Sequence, residues 1–574
     1  MAKCIYICSR DRLPDSVGKL LNEICIRLTP DNIIPPEPDI FIAGHVAYGI
    51  MNPNSTLSKR GSSLLMGQIF ESDEKWDLPL SDFPDGSYAL FRDSEEYFEI
   101  ISDPAASRTI WYYMDDKVFI ASTSQRAIIM FLGSFEFNDN IIPWMLSTGN
   151  LGPSNSWDKR IKRLSADSSV IINKEIWSLS AKSNQIEIRS ENRSDEQNER
   201  LLREALKETF SSFKLDLSKW ALPLSGGYDS RGILCYLIDK DPDIHNLLTI
   251  TWGLKSSLGK KDNDAFVARE LAARLKLANN YYTNDLSEEP IEKVIKRFLL
   301  LGEGRIDTIS DYLDGFKMWK KIFEDGIQGI IRGDEGFGCK SYSSKQAVRI
   351  NQSCALCSDF SNLKDYLRYG FSSQSLPQLL DQREGEELNI WCDRLFHEYT
   401  LPTEFAALSD LKLSYVEQIN PLLSRNILHT VRQLPGHLRA GKILFKKIVH
   451  SLSPDIAYAK NASSASPGEI LKQEHIVNYM IKSLSSDIST TLFPAQFLNS
   501  VLKGIKTSDK LISNSGHSFS LRFFIGKITP RFVKEALRKE VMLHSVDGNI
   551  LAFRVLLICK MNEILNDDKK CVHK

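Results

Sequence analysis

The sequence predicts a two-domain protein in which both halves mix α and β structure. Three observations lead there. Residues 1–180 are rich in short β-like runs separated by turn residues. Residues 201–574 alternate strands with helices and become mostly helical from about residue 360. Between them, residues 181–200 are polar and charged, as in Glu191-Asn192-Arg193-Ser194-Asp195-Glu196-Gln197-Asn198, which marks a linker running into a helix over 195–213.

In the first half the apolar runs fall at 3–9, 40–43, 87–92, 97–102, 109–114, 118–122 and 169–173. Turn chemistry separates them, as in Phe83-Pro84-Asp85-Gly86 and Asp103-Pro104. In the second half, strand 220–224 precedes a helix over 231–238. Strand 247–252 precedes a helix over 264–275, with Asp262 or Asp264 as its cap. The apolar segment 327–331 then ends in Gly333-Asp334-Glu335. Such alternation predicts a parallel sheet with helices on both faces, followed by a helical tail.

Composition bounds the function. The net charge of −1 lacks the basic excess of a dedicated nucleic-acid binder. The most apolar late segment, 550–564, is interrupted by Arg554, Lys560 and Glu563 and reads as a buried helix, not a membrane span. The N-terminal apolar stretch is too short for a signal peptide, so a cytoplasmic location is expected. Ten cysteines are scattered. Cys354 and Cys357 have zinc-ligand spacing, but only Cys339 and Cys392 lie nearby, and two reduced thiols are the favoured reading. The final Cys571-Val572-His573-Lys574 does not make a prenylation box.

The most informative stretch is Leu222-Pro223-Leu224-Ser225-Gly226-Gly227-Tyr228-Asp229-Ser230. Strand, turn and helix follow in order. Two glycines are expected to let the backbone approach a large anion with unusual φ values. The hydroxyls of Ser225 and Ser230, with N–H groups at a helix start, would cradle phosphate. Asp229 alone would repel phosphate, which implies Mg²⁺ between them. No Lys-Ser/Thr follows the glycines, so this is not a Walker A loop. The loop resembles the Ser-Gly-Gly-x-Asp-Ser pyrophosphate loop of the ATP pyrophosphatases, enzymes that cleave ATP between its α and β phosphates. In parallel sheets ligands sit at strand carboxyl ends. Trp252-Gly253, where adenine could meet backbone groups, and Arg332-Gly333-Asp334-Glu335-Gly336-Phe337-Gly338 are therefore candidates too. Asp229 and Asp334 are the expected metal ligands; by itself the second segment also reads as a plain turn.

Taken in order, further segments resemble the asparagine synthetase superfamily over nearly the whole chain. They are Phe83 to Phe91, Asp103-Pro104-Ala105-Ala106-Ser107-Arg108 (family pattern Asp-Pro-x-Gly-x-Arg), Val118-Phe119-Ile120-Ala121-Ser122, and Asp334-Glu335-Gly336-Phe337-Gly338. Asn420-Pro421-Leu422-Leu423 and Gly441-Lys442-Ile443-Leu444-Phe445-Lys446 (family pattern Lys-x-x-Leu-Arg) follow. The resemblance implies a degenerate glutaminase-like αββα sandwich of the N-terminal-nucleophile type over 1–180. It also implies a linker over 181–200 and an ATP-pyrophosphatase-type ligase domain over 201–574.

The departures redirect the chemistry. Removing Met1 exposes Ala2 and not the catalytic cysteine of a working glutaminase domain. Cys4 or Cys8 could serve only after trimming, and the glutamine-binding Asn is missing around Met66-Gly67-Gln68-Ile69-Phe70. An amine on the substrate must then replace ammonia, a pattern shared by β-lactam synthetases, carbapenam synthetases and lasso peptide cyclases. The last is favoured, because Arg231 closes the loop, Ala459-Lys460-Asn461-Ala462-Ser463-Ser464 follows, and a helical tail ends the chain. That resemblance implies ATP and Mg²⁺ as cofactors, a precursor peptide as substrate and a leader peptidase as partner. Lys460 is expected at the adenylate, and Lys446 at pyrophosphate; either also reads as a surface charge. The alternatives are an amidotransferase using ammonia or glutamine on a small acid or sugar, and a non-catalytic nucleotide-binding scaffold.

Overall fold

The computed structural model describes residues 3–571 except 54–55, 72, 213, 242–243, 245, 464–466 and 508–543. Met1, Ala2, Ser464, Val572, His573 and Lys574, named above, and the end of the expected helix 195–213 lie outside the described residues.

The first half is built from strands β1 (Lys3–Ser9), β2 (Asp39–Ala43), β3 (Val46–Met51), β4 (Leu57–Arg60), β5 (Ser63–Ile69), β6 (Gly86–Asp93), β7 (Tyr97–Ser102), β8 (Trp111–Met114), β9 (Val118–Ser122), β10 (Lys162–Arg163), β11 (Ser168–Asn173) and β12 (Ser178–Ser183). They form two six-stranded sheets, β10-β8-β9-β1-β3-β2 and β12-β11-β7-β6-β5-β4. Adjacent strands in both run antiparallel. The two-residue side-chain period explains why β1 is apolar throughout. Cys4, Tyr6 and Cys8 face the layer between the sheets, where Tyr6 stacks on Phe91 and Phe98. Ile5 and Ile7 face the opposite side. There the helix Val17–Leu28 buries Leu21, Ile24, Cys25 and Leu28, one face at helical spacing.

The outer face of the second sheet departs from the expected αββα sandwich. Leu65, Ile69, Tyr88, Leu90 and Ile101 are covered there by Trp76 and Phe83 from an irregular segment, not by a helix. Buried Arg92 fastens that segment by donating to the carbonyls of Trp76 (2.7 Å), Ser81 (2.9 Å) and Asp82 (2.8 Å). Two large rings and one guanidinium do the work of the missing helical layer. The Asp103-Pro104 segment is held by Asp103, whose carboxylate accepts from the N–H groups of Tyr88, Ala105 and Ser107. Ala106, where the resemblance has glycine, keeps a left-handed φ of 47°.

The second half carries a sheet of five strands. These are β13 (Trp220–Pro223), β14 (Leu248–Gly253), β15 (Ala278–Thr283), β16 (Gly329–Ile331) and β17 (Glu417–Ile419). Their order is β15-β14-β13-β16-β17 and every pairing is parallel. Trp220 and Leu222 face one helical layer, with the helices Tyr228–Lys240 and Ile443–Leu452. Ala221, Ile250 and Ile330 face the other, with Ile291–Gly302, Lys317–Glu324 and Ala406–Leu413. Helices on both faces match the expectation.

Two ion pairs join the halves, buried Arg108 with Glu417 and half-buried Arg425 with Asp167 (2.6 Å), and Arg305 donates across to Thr109 Oγ1 (2.8 Å). The last helix, Gly548–Cys571, returns to the first half, where Asp568 pairs with Arg126 at 2.7 Å. Its Ala552 to Ile558 stretch is almost wholly buried, as expected of a core helix. Among the described residues no helix is long and apolar enough to cross a membrane.

Candidate active site

The chain leaves β13 at Leu224, whose N–H donates to Ile250 O (2.8 Å) and whose carbonyl accepts from Thr251 Oγ1 (2.8 Å). The loop is thus anchored to β14 before it turns. Ser225 N donates to Ser230 Oγ (3.0 Å), and the two hydroxyls lie 3.1 Å apart. Gly227 N donates to Ser225 Oγ (3.2 Å), and Gly226 N to Asp264 Oδ1 (3.0 Å). The helix Tyr228–Lys240 starts there, so its unpaired N–H groups and positive end point into the turn.

The expectation of unusual φ values fails: neither Gly226 nor Gly227 has a positive φ. Glycine is required at 226 for a different reason. A Cβ built there would lie 2.3 Å from the Ala459 Cβ, and Ala459 N donates to Gly226 O (3.0 Å). On Gly227 the nearest atom to a Cβ would be Ser225 Oγ at 3.3 Å.

A cavity of about 270 Å³ opens at the carboxyl ends of β13, β14 and β16. Leu224, Ser225, Asp229, Ser230, Trp252, Gly333 and Asp334 all line it, so residues from three expected segments meet. Gly333 sits against the helix start, where its Cβ would be 3.2 Å from Asp229 Cβ and 3.3 Å from Ser230 N. Asp334 is buried. Arg332 donates to its Oδ1 (2.9 Å), and its Oδ2 has no partner among the described residues. Gly253 is not on the wall; its Cβ would meet Ser463 at 2.5 Å. The carbonyls of Trp252 and Gly253 are already taken, by Ser463 Oγ (2.7 Å) and Asn284 N (3.0 Å).

Both lysines named from the sequence stand elsewhere. Lys460 points to solvent with 74% of its side chain exposed, 3.4 Å from Asp262. Extended backbone alternates its side chains, so Ala459 packing inward on Gly226 turns Lys460 outward. Lys446 lies with its Nζ 5.6 Å from the centre of the Tyr228 ring and is not part of the cavity lining. Lys442, which the sequence reading placed in the Lys-x-x-Leu-Arg segment without giving it a role, stands beside the loop instead. Its Nζ lies 3.0 and 2.9 Å from the two oxygens of Asp229 and 2.7 Å from Glu335. Burial opposes its charge, yet these two carboxylates raise its pKa. Burial raises the pKa of Glu335, with Lys442 pulling the other way. Lys442 has φ 63° and Gly441 φ 59°, a left-handed pair that aims the lysine back across the loop. The signal for it was the glycine before a lysine at the start of an amphipathic helix. The helix cap expected at Asp262 or Asp264 is instead Asn263, whose Oδ1 accepts from Phe266 N (2.9 Å) because its extended backbone precedes the first turn; Asp264 lines the cavity.

Arg231, expected to close the loop, works behind it. It donates to Ile456 O (2.7 Å) and Ala457 O (3.1 Å) and lies 3.9 Å from the Tyr458 ring, which stacks on Tyr228. It thereby holds the segment that carries Ala459 to Ser463. Cys4 and Cys8 are buried between the sheets, and burial raises both thiols, Cys8 to about 12. Cys354 and Cys357 pack into different clusters, and no group of three or more metal-ligating side chains occurs among the described residues.

No protein-family model matches the sequence, and no curated protein matches it. Among solved structures the chain is similar to a glutamine phosphoribosylpyrophosphate amidotransferase from B. subtilis complexed with ADP and GMP. That match has 10% identity over 49% of this chain and 65% of that one, at a TM-score of 0.20. It is also similar to an allosteric regulatory enzyme of purine biosynthesis, at 10% identity over 49% of this chain and 80% of that one, with a TM-score of 0.21. A U34-tRNA thiolase from Methanococcus maripaludis with its [4Fe-4S] cluster matches at 12% identity over 57% of this chain and 93% of that one, with a TM-score of 0.21. Scores this low do not establish a shared fold, and the functional reading rests on the cavity.

Proposed function

We propose that this protein is an ATP-dependent carbon–nitrogen ligase that forms an amide through an acyl-adenylate. The observation that carries this is one cavity. Into it converge a helix N-terminus with two serine hydroxyls (Ser225, Ser230) and two carboxylates (Asp229, Asp334), and the ammonium of Lys442 pairs with Asp229 beside it. Hydroxyls, helix-start N–H groups and a cation suit a polyphosphate.

The residues fit Mg²⁺. Asp334 Oδ2 is buried and unpartnered among the described residues, and a carboxylate paired with one lysine retains lone pairs, as Asp229 does. These two would hold the ion, which when bound offsets charge on the phosphate oxygens. In the proposed reaction a substrate carboxylate oxygen attacks the α-phosphorus of ATP. The α–β phosphoanhydride bond breaks, and pyrophosphate leaves into the pocket of Ser225, Gly227 and Ser230, beside Lys442. An amine then attacks the activated carbonyl carbon, the C–O bond to AMP breaks, and the amine gives up a proton. Lys460 has no part in this account, because it faces solvent.

The amine belongs to the substrate in this reading. What supports that is the buried, raised state of Cys4 and Cys8, which suits neither as a nucleophile for freeing ammonia from glutamine. The substrate we propose is a peptide whose side-chain carboxylate joins its own N-terminal amine, the lasso macrolactam, with a leader peptidase supplying the free amine in the cytoplasm. To test it, a peptide with a free N-terminus and an acidic side chain is incubated with protein, ATP and Mg²⁺. Loss of one water with release of AMP supports the reading, provided Asp229→Ala abolishes both. AMP without dehydrated peptide removes the peptide substrate but keeps adenylation. Glutamine- or ammonia-dependent amide formation on a small acid would replace it with the amidotransferase.

A further inference from the structure

A second cavity, of about 180 Å³, lies on the seam between the halves, away from the nucleotide cavity. Arg163, at the end of β10, stands on its first-half wall; Pro377, Leu379 and Leu380 form the opposite wall, with Ile186 beside them. The guanidinium is the unusual feature. Its Nη1 donates to Thr403 Oγ1 (2.9 Å) and, at 3.4 Å, to Pro402 O. Nε and Nη2 make no hydrogen bond among the described residues, and no carboxylate there lies within 4.0 Å of the group.

Arg163 is half-buried, and most fully buried arginines are built differently, Arg231 with its two carbonyl acceptors excepted. Arg92, Arg126 and Arg394 reach Glu99, Asp568 and Glu386 respectively. Arg108 and Arg305 likewise pair with Glu417 and Asp410. The acid on the second cavity's wall, Glu398, is already held by Arg394 (2.9 Å) and Arg383 (3.7 Å). Burial, with Arg305 nearby, lowers the Arg163 pKa to about 10, which still leaves it charged at neutral pH. Arg163 is only partly withdrawn from water and its free edge stays accessible from the cavity, so an anion that enters can complete an unneutralised cation. Its free edge has the fork geometry that a carboxylate matches with two parallel hydrogen bonds.

We infer that this cavity binds a small organic carboxylate, the acid group on the Nε and Nη2 edge of Arg163 and the hydrocarbon part against Pro377, Leu379 and Leu380. Such a ligand touches both halves and stabilises the seam by mass action. The inference is independent of the proposed ligase chemistry.

The test is a thermal-shift and calorimetric titration of the full chain with benzoate and hexanoate, and with uncharged benzamide. Saturable stabilisation by the acids and none by benzamide is expected. Arg163→Met should abolish the acid effect, and should itself melt no lower than the parent, since it removes an uncompensated charge. Ser165→Trp, which fills the cavity from its exposed rim while keeping Arg163, should abolish it too. Absence of saturable binding by either acid, or equal binding by parent and either variant, would overturn the inference.

Discussion

The ammonium of Lys442 lies within 3.0 Å of both carboxylate oxygens of Asp229, a residue 213 positions earlier, and bridges it to Glu335. One lysine therefore ties together the phosphate loop after β13, the segment after β16 and the start of the helix Ile443–Leu452. Lys442→Met leaves two neighbouring carboxylates without their cation and removes a positive charge from beside the phosphate site. Adenylation measured as AMP release should fall by about 100-fold or more. Lys442→Arg, which keeps the charge, should recover part of it.

Asp264 occupies the N–H of Gly226 that a phosphate oxygen would otherwise accept. Its carboxylate, with a pKa raised by burial, also places negative charge in the cavity. Asp264→Asn keeps an acceptor but drops the charge. Inorganic pyrophosphate, titrated calorimetrically, should bind about tenfold tighter, a change of about 1.4 kcal/mol.

His397 supports the segment after β16 from below. Arg432 Nε donates to its Nδ1 (3.2 Å), so Nε2 carries the proton and donates to Gly336 O (3.0 Å). Burial and the Arg432 charge lower its pKa to about 3. The folded pKa is depressed below the unfolded value of about 6.5, so this contribution is intact above pH ~6.5 and is lost as pH falls toward 3. Stability in urea should decline by about 1.4 kcal/mol per pH unit through that window from this group. His397→Gln should show a shallower decline over the same range.

Ala106 holds a left-handed φ of 47° in the turn after Asp103. A Cβ in that conformation is strained, and glycine relieves it at some cost in unfolded-state entropy. Ala106→Gly should raise stability by about 0.5–1 kcal/mol in equilibrium unfolding, with no change in AMP release.

The parallel sheet and the loop after β13 were legible because local chemistry specifies them. Trp220 to Leu224 is a short apolar run, and serine and glycine after it have few other uses. Asp334 lines the cavity as the same reading expected, at the end of the apolar segment 327–331. The placement of Lys460 and Lys442 was not legible because side-chain direction there depends on contacts far along the chain. The inward turn of Ala459 is set by Gly226, and the reach of Lys442 by a left-handed backbone that only Gly441 signals. The missing helical layer over the second sheet was hidden likewise. Trp76 and Phe83 read as loop residues until Arg92 is seen to bind the loop carbonyls around them.

The most direct test of the central claim is the identity of the nucleotide products. Purified protein, ATP, Mg²⁺ and a carboxylate-bearing peptide would be incubated, and nucleotides separated, with Asp334→Asn in parallel. The account predicts AMP and pyrophosphate in equal amounts, lost in the variant. ADP and phosphate, or nucleotide products unchanged by Asp334→Asn, would contradict it.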